Sequence, residues 1–296
     1  MDYFSKLVGE ALEGGETVES AMRKAVAEDV RRFNERQMPT KVFRMHLDST
    51  YVPLRRGTVQ KEAINIAMAV DAEGRRSILG YSITPEESSE AYGELLRSFK
   101  DRGLKDVGIV VSDGIPGIDG AIDGSSPKAQ RQRCFVHLLR NLCSKVRRPD
   151  RAEMSEDFMA IPKAANPKEG QALLDRFNEK WGSRYPKVRS WASKVDHVLT
   201  FLGFPKEVRH LIYTNNPIEG FNKQIKRMVK KQMQFVTEEA LEKRLVTLFL
   251  HYNEGVGRRK VKEWREIVEF MGKEGQLLEG RNLAYTRFRK LSGRNS

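Results

Sequence analysis

Cysteine is nearly absent: Cys134 and Cys143 are the only two in 296 residues. Two thiols cannot build a disulfide framework, and a chain so poor in them suits a reducing compartment. Long apolar runs are missing too. No stretch approaches the roughly 18 apolar residues of a membrane span. The start, Met1-Asp2-Tyr3-Phe4-Ser5-Lys6, lacks the basic stretch and apolar core of a secretory signal. Internal repeats and low-complexity tracts are absent as well. These absences exclude a secreted disulfide scaffold, a helical membrane protein and a solenoid. The expectation is a soluble, cytoplasmic protein.

What the chain has in excess is positive charge. Fifty-three Lys and Arg face 40 Asp and Glu, a formal net charge of +13, and the sequence pI is about 9.7. That is the electrostatic footprint of a nucleic-acid binder, with a solvated basic surface as the plain alternative. A 39% hydrophobic content is enough for one large domain or two modest ones.

Residues 1–38 read as a polar, helical lead-in. Glu19 to Met38 holds nine charged residues, and Met22, Val26, Val30 and Phe33 make only a narrow apolar stripe. From residue 39 the character changes. Phe43, Met45 and Leu47 alternate up to Asp48, residues 61–70 form a second strand candidate, and the turn Asp71-Ala72-Glu73-Gly74 leads to a third, Ser77 to Ile83. Thr84-Pro85-Glu86-Glu87 reads as a helix cap with Pro at the first helical position. Ala91, Leu95, Leu96 and Phe99 follow at helical spacing, and Gly103 fits the stop. Val107 to Val111 is a buried strand ending at Ser112-Asp113-Gly114, followed by a helix, a short strand near Gln132–Phe135 and another helix. This order predicts an α/β fold, a mixed sheet with helices on its faces, in a catalytic domain that begins at 39–145. Residues 146–213 carry only helical spacing, broken by Pro149, Pro162, Pro167, Pro186 and Pro205, and are expected to be an all-α insertion. Residues 214–296 complete the domain with two helices and a basic tail from Arg281.

Three acids stand out, each with a plain reading beside it. Asp48 follows the apolar face of the first strand. Asp113 sits at the carboxyl end of the buried strand, where open sheets bind ligands, but Asp113-Gly114 is also a common turn dipeptide. Glu219 heads a helix opened by Asn215, Asn216 and Pro217. It lies opposite the apolar side of Ile218, Phe221, Ile225, Met228 and Val229, in line with Lys223, Lys226 and Lys230. Taken singly, a strand-end Asp is a turn former and a basic helix face is a solvated surface. Taken together, hard carboxylate ligands and a basic stripe suit Mg²⁺-supported chemistry on backbone phosphates. Two ions about 3.5–4 Å apart can activate an attacking oxygen and stabilise a leaving one.

At this point the residues resemble a known family. Leu47-Asp48-Ser49-Thr50-Tyr51, Val111-Ser112-Asp113-Gly114 with Gly117, Gln132-Arg133-Cys134-Phe135-Val136-His137 with Arg140-Asn141, and Thr214-Asn215-Asn216-Pro217-Ile218-Glu219 with Asn222 follow in order. Together they are similar to the Mutator-type transposases of bacterial and archaeal insertion sequences, from about residue 40 to about residue 250. The resemblance implies an RNase H-like fold with a DDE-type site and makes Asp48, Asp113 and Glu219 the metal ligands. It implies two Mg²⁺ ions with Mn²⁺ as substitute, cleavage of double-stranded DNA at transposon ends to leave a 3′ hydroxyl, and attack of that hydroxyl on target DNA. A homo-oligomer on paired ends, in the nucleoid of a prokaryote, is the implied setting.

Arg140, Arg147, Arg148, Lys223, Lys226, Arg227 and Lys230 are the candidate DNA contacts. Cys134, His137, Asn141 and Asn222 belong to the family's pattern without an assigned role. A zinc site needs four ligands. Cys143 could be a third after Cys134 and His137, though it would lie about 120° from His137 on a helix. Trp181 and Trp191 are expected in the core, with base stacking as the lesser reading. Only 47 residues precede Asp48, where family members carry a DNA-binding region. This motivates two rivals to the transposase reading. One is a truncated, inactive DNA-binding copy that modulates a complete enzyme. The other is a metal nuclease without strand transfer.

Overall fold

A computed structural model describes residues 17–269 apart from positions 215, 233, 263 and 266, together with residue 9 and residues 13–15. The basic tail expected from Arg281 lies outside the described residues. The sheet is built on a long hairpin. β1 (Lys41–Arg56) turns at Gly57, φ 79°, into β2 (Thr58–Asp71), and β3 (Arg76–Thr84) completes an antiparallel meander. β4 (Asp106–Ser112) then pairs parallel with β1, and β5 (Gln130–Arg133) parallel with β4. The order is β3-β2-β1-β4-β5, a mixed five-stranded sheet of an α/β protein.

Alternation along β1 sends successive side chains to opposite faces. Met45 and Leu47 pack with Ala67 and Leu79 against α2 (Ser89–Asp101) and α3 (Ile118–Ser125), through Tyr92, Leu95, Phe99 and Ile122. Val52 and Leu54 face the other way. With Ile64 and Ile66 they meet Ile218, Phe221 and Ile225 of α9 (Asn216–Gln232) and Leu245 and Phe249 of α10 (Glu238–Glu254). The lead-in helix α1 (Val18–Glu35) joins this core through Phe33, whose ring lies 5.5 Å from that of Phe249. Its inner stripe is Ala21, Ala25 and Phe33, whereas Met22, expected inside, is 47% exposed. The small alanines let the helix sit close, and the bulkier Met22 is turned outward.

Residues 146–213 hold no strand among the described residues. After α4 (Phe135–Lys145) come α5 (Arg151–Ala160), α6 (Pro167–Arg184), α7 (Pro186–Ala192) and α8 (Arg209–Tyr213). Pro149, Pro162, Pro167 and Pro186 each sit in the first two positions of a helix or 3-10 turn, where a missing N–H costs nothing. These helices gather around Phe158, Phe177, Trp181 and Phe201, and the same apolar cluster runs on into Phe43, Val70 and Ile109 of the sheet. Each such ring contributes roughly 1.5–3 kcal/mol by its burial, so the helical stretch is seated firmly on the sheet rather than tethered to it.

The second helix starts later than expected. Thr84 ends β3, and its hydroxyl donates to Glu86 O at 2.7 Å while accepting from Asn65 Nδ2 at 2.9 Å. That occupies Thr84 within the sheet, and Ser88 becomes the cap, its Oγ accepting the Ala91 N–H at 3.1 Å. Pro85, Glu86 and Glu87 are left in the connecting loop.

Candidate functional site

The parallel pairing of β1 with β4 runs from Lys41 opposite Asp106 to His46 opposite Val111. Two residues further, the same register brings Asp48 and Asp113 side by side on neighbours about 4.8 Å apart. β4 stops at Ser112, but β1 continues to Arg56. Asp48 therefore does not close the first strand, as the alternation pattern predicts. It is an interior residue, opposite Ile66 of β2, at the point where its other neighbour gives out. β1 regains a partner only near Phe235, which accepts the Arg55 N–H at 2.9 Å and donates to Pro53 O at 3.1 Å. The notch left between these two pairings holds the site.

Three connections fill the notch. After Asp113 the chain turns at Gly114, φ 82°, where a Cβ would lie 2.8 Å from Arg133 Cδ. Only glycine fits that turn, and it leaves the Asp113 carboxylate accepting the Ile115 N–H. The turn reading and the site reading of Asp113-Gly114 are thus the same structure. On the next strand the Cys134 N–H donates to Ser112 O at 2.8 Å, which starts α4 beside the end of β4. One turn in, His137 Nε2 stands 3.7 Å from Asp48 Oδ1 and 3.7 Å from Glu219 Oε1. From the other side α9 buries Ile218, Phe221 and Ile225, which turns Glu219 and Asn222 toward β1. Asn222 Nδ2 donates to Asp48 Oδ2 at 2.8 Å.

The result is a concentration of buried negative charge. Burial pushes the Asp48 carboxyl up to about 7, with Asp113, Glu219 and Glu87 adding repulsion. Burial also raises Asp113, against the pull of the Ile115 N–H and of Arg133. His137 is lowered by burial, opposed by the Glu219 charge, so it is held toward the neutral form. Among the described residues neither Asp48 nor Asp113 forms an ion pair with a lysine or arginine, and Glu219 meets only the exposed Arg140 at 3.7 Å. Glu219 Oε1 and Asn222 Oδ1 are buried without a hydrogen-bond partner. Hard oxygen donors with excess negative charge and unused lone pairs are what a divalent cation requires, so these residues fit a metal ion.

The structure brings together Asp48, Asp113, Glu219, His137, Asn222 and, at the rim, Arg140. It does not bring in Arg147 and Arg148, which lie exposed past the far end of α4, some 12 Å of helix beyond His137. Lys223, Lys226, Arg227 and Lys230 are all exposed along α9, and Asn141 is exposed on α4. Cys143 is turned away and sits 3.6 Å from Ser155 Oγ. The third group near Cys134 and His137 is instead Glu219, with ligand atoms within 4.8 Å of one another. Helical geometry alone separates Cys143 from His137; the approach of α9, which no sequence spacing reveals, supplies Glu219. Trp181 is fully buried and donates to Asp157 Oδ2 at 2.8 Å, so it has no face free for a base.

Glu87 also belongs to this acidic group, although no motif in the sequence marks it. It lies in the loop before α2, accepts from Tyr92 Oη at 3.1 Å and adds repulsion to Asp48. Its only trace in the sequence is an acid near a helix start, which is read as capping. Among the described residues no helix is long and apolar enough to cross a membrane.

A mixed five-stranded sheet with a buried acidic centre at the end of β4, flanked by a basic helix, makes this an α/β protein. The family described as Transposase, Mutator family, matches residues 2–257, and the chain belongs to that family. It is 43% identical over 234 residues to the transposase for insertion sequence element IS905 of Lactococcus lactis subsp. lactis, covering 79% of this chain and 60% of that protein. It is 39% identical to the transposase for IS1201 of Lactobacillus helveticus, over 75% of this chain and 61% of the other. It is 33% identical to the transposase for ISRM3 of Rhizobium meliloti, over 83% and 62%. The chain spans about three fifths of the length of these relatives.

Proposed function

We propose that this chain is the catalytic part of a DNA transposase of the DDE type, on an RNase H-like fold interrupted by the helical stretch 146–213. It cleaves double-stranded DNA at the ends of an insertion element and joins the resulting 3′ hydroxyl to target DNA, working as an oligomer on paired ends. The observation that carries this reading is the convergence of Asp48, Asp113 and Glu219, from three separate elements, on one notch where, among the described residues, the exposed Arg140 beside Glu219 is their one lysine or arginine ion-pair partner.

In this reading those three carboxylates hold Mg²⁺, with Mn²⁺ as substitute. Two such ions, when bound, lower the cost of charge on the attacking and leaving oxygens. The rest falls to the chain itself. Asn222 fixes the plane of the Asp48 carboxylate through Oδ2 and leaves Oδ1 facing His137. His137, held toward neutrality, spaces Asp48 from Glu219 without replacing the ion's charge. Arg140 and the α9 residues Lys223, Lys226, Arg227 and Lys230 neutralise backbone phosphates leading into the notch.

A binding-only copy has less support, because it would keep the repulsion among these acids with nothing to offset it. The test is incubation of the purified chain with supercoiled plasmid and labelled duplexes from the gene's flanks, with Mg²⁺ or Mn²⁺, beside Asp113→Asn. Metal-dependent joining, absent in the variant, is the expected result. Nicking without joining would leave a nuclease, and equal DNA binding by both proteins with no cleavage would leave a binding module.

A further inference from the structure

Asp48, Asn222 and Glu219 approach the notch from the α9 face of the sheet. Ser49, the next residue of β1, points to the opposite face, and a second carboxylate is anchored there. Glu87 Oε1 accepts from Tyr92 Oη at 3.1 Å, and Ser49 Oγ lies 3.3 Å from the same Oη. Tyr92 is 1% exposed, so this phenol is fixed by the core. The Glu87 N–H donates to Tyr51 Oη at 3.4 Å, a further hold from β1. The ladder extends inward: Ser49 Oγ reaches Asn65 Oδ1 at 3.3 Å, and Asn65 Nδ2 donates to Ser82 Oγ and Thr84 Oγ1. Thr84 is the residue from which the Glu87 loop departs. Glu87 is thus held at both its side chain and its backbone N–H by phenols of the sheet and α2, with Ser49 behind one of them.

The orientation they impose is unfavourable without a cation. Glu87 faces Asp113 and adds to the repulsion on Asp48, and among the described residues it forms no ion pair with a lysine or arginine. The acids alone would not make a case. A separate observation is Asn222, 5% exposed, whose carboxamide lies against Asp48 with Oδ1 left without a partner. A buried acceptor unsatisfied within a carboxylate cluster points to a cation or its water as the partner.

We propose that Glu87 is a fourth carboxylate of the metal centre, holding the ion from the α2 face of the sheet, with Tyr92 and Ser49 as its positioning residues. This rests on the metal-site reading above. Glu219 and Glu87 then close on the Asp48–Asp113 pair from opposite faces, so that one acid rides on a helix and the other on a loop locked to the sheet.

The test is Mn²⁺ binding to the purified, DNA-free chain, followed by the EPR signal of free Mn²⁺. Glu87→Gln keeps the volume and the acceptor for Tyr92, and should weaken binding about tenfold or more. Glu87→Asp keeps the charge but withdraws the oxygens by one methylene, and should weaken it comparably. Glu86→Gln, at the exposed neighbour, should leave binding unchanged. Tyr92→Phe should give a smaller, few-fold loss, with unfolding in EDTA confirming the fold of each variant. Full affinity in Glu87→Asp beside a loss in Glu87→Gln would reduce Glu87 to a distant charge and overturn the proposal. Full affinity in Glu87→Gln while Asp113→Asn loses it would overturn the proposal and leave the metal site standing. Full affinity in both would overturn the metal-site reading with it.

Discussion

Two groups of acids occupy the same end of the sheet and are handled in opposite ways. Asp119 and Asp196 are gripped by the buried Arg133, whose Nη1 reaches Asp119 Oδ1 at 3.2 Å and Ser112 Oγ at 3.3 Å, and whose Nη2 bonds both aspartates. Arg131 adds a second guanidinium, paired with Asp119 and Asp123. Among the described residues Asp48, Asp113 and Glu87 form no ion pair with a lysine or arginine and Glu219 meets only the exposed Arg140, although Arg133 stands near Asp113. Both groups hold acids close to a histidine, and spacing alone would not tell them apart. What separates them is the local sum of charge. Acids closed by their own guanidinium form a brace, whereas acids left in excess in a buried notch repel one another and, in the proposed reading, take a cation as their counter-charge.

The strongest way to break this contrast is to remove one carboxylate from the open group. Asp113→Asn or Asp48→Asn should lower metal-dependent DNA cleavage by about 10³-fold or more, as befits loss of several kcal/mol of charge stabilisation. In EDTA the same variants should unfold at or above the wild-type temperature, because a repelling buried charge has gone. A lower unfolding temperature in EDTA would mean that the carboxylate was structurally compensated after all. The closed group should respond in the opposite sense. Arg133→Met should cost about 2–3 kcal/mol by urea unfolding, toward the low side of a broken buried pair because both aspartates keep water access. Adding Mg²⁺ should not restore it.

This contrast was only half legible in the sequence. The buried run Val107–Val111 announces a strand, and the strand-end rule marks Asp113. Alternation marks Asp48, and helix phasing separates Glu219 from the apolar side of α9. These are local signals and they carry over into the fold. The edge notch is not local: it exists because β4 stops while β1 runs on to Phe235, and no residue of β1 records where its neighbour ends. β5 is expected near Gln132–Phe135 and lies two residues earlier, at Gln130–Arg133. What its polar sequence does not announce is burial: Gln132 is fully buried, with its amide donating to Val198 O and accepting from Phe201 N, each at 2.8 Å. Burial of polar groups depends on partners more than sixty residues away, which composition cannot register. Glu87 was hidden for a simpler reason: an acid beside a helix start has an adequate local explanation.

A smaller effect follows from proton linkage. The Asp48 carboxyl is raised by burial to about 7, well above the ordinary aspartate value. Between the two values the folded state holds a proton that the unfolded state has lost, so stability of the metal-free protein falls as pH rises from about 4 to about 7. Asp48→Asn should flatten that slope. Saturating Mg²⁺ should reverse it, since only the ionised carboxylates bind the ion. Thermal unfolding from pH 5 to 7.5, with EDTA or Mg²⁺, measures all three curves. A wild-type curve in EDTA with no fall over this range would show that Asp48 ionises as freely as a surface acid.

The gentlest probe concerns the exposed charges of α9, which extend the comparison from acids to bases. Lys223 and Lys226 are solvent-exposed and lie along the helix from Glu219. Unlike Arg133 they form no ion pair among the described residues, so in the proposed reading their counter-charge is the DNA backbone. If each neutralises one phosphate of duplex DNA, each releases about one counterion, and the slope of log K against log salt changes by about 0.9 per contact. Lys223→Gln combined with Lys226→Gln should therefore flatten the slope by about 2 and weaken binding at low salt, with no change in thermal stability or Mn²⁺ affinity. Fluorescence anisotropy across a salt series separates the possibilities. An unchanged slope would make the stripe a solvated face, and DNA would have to reach the notch by way of Arg140 and the surface beyond it.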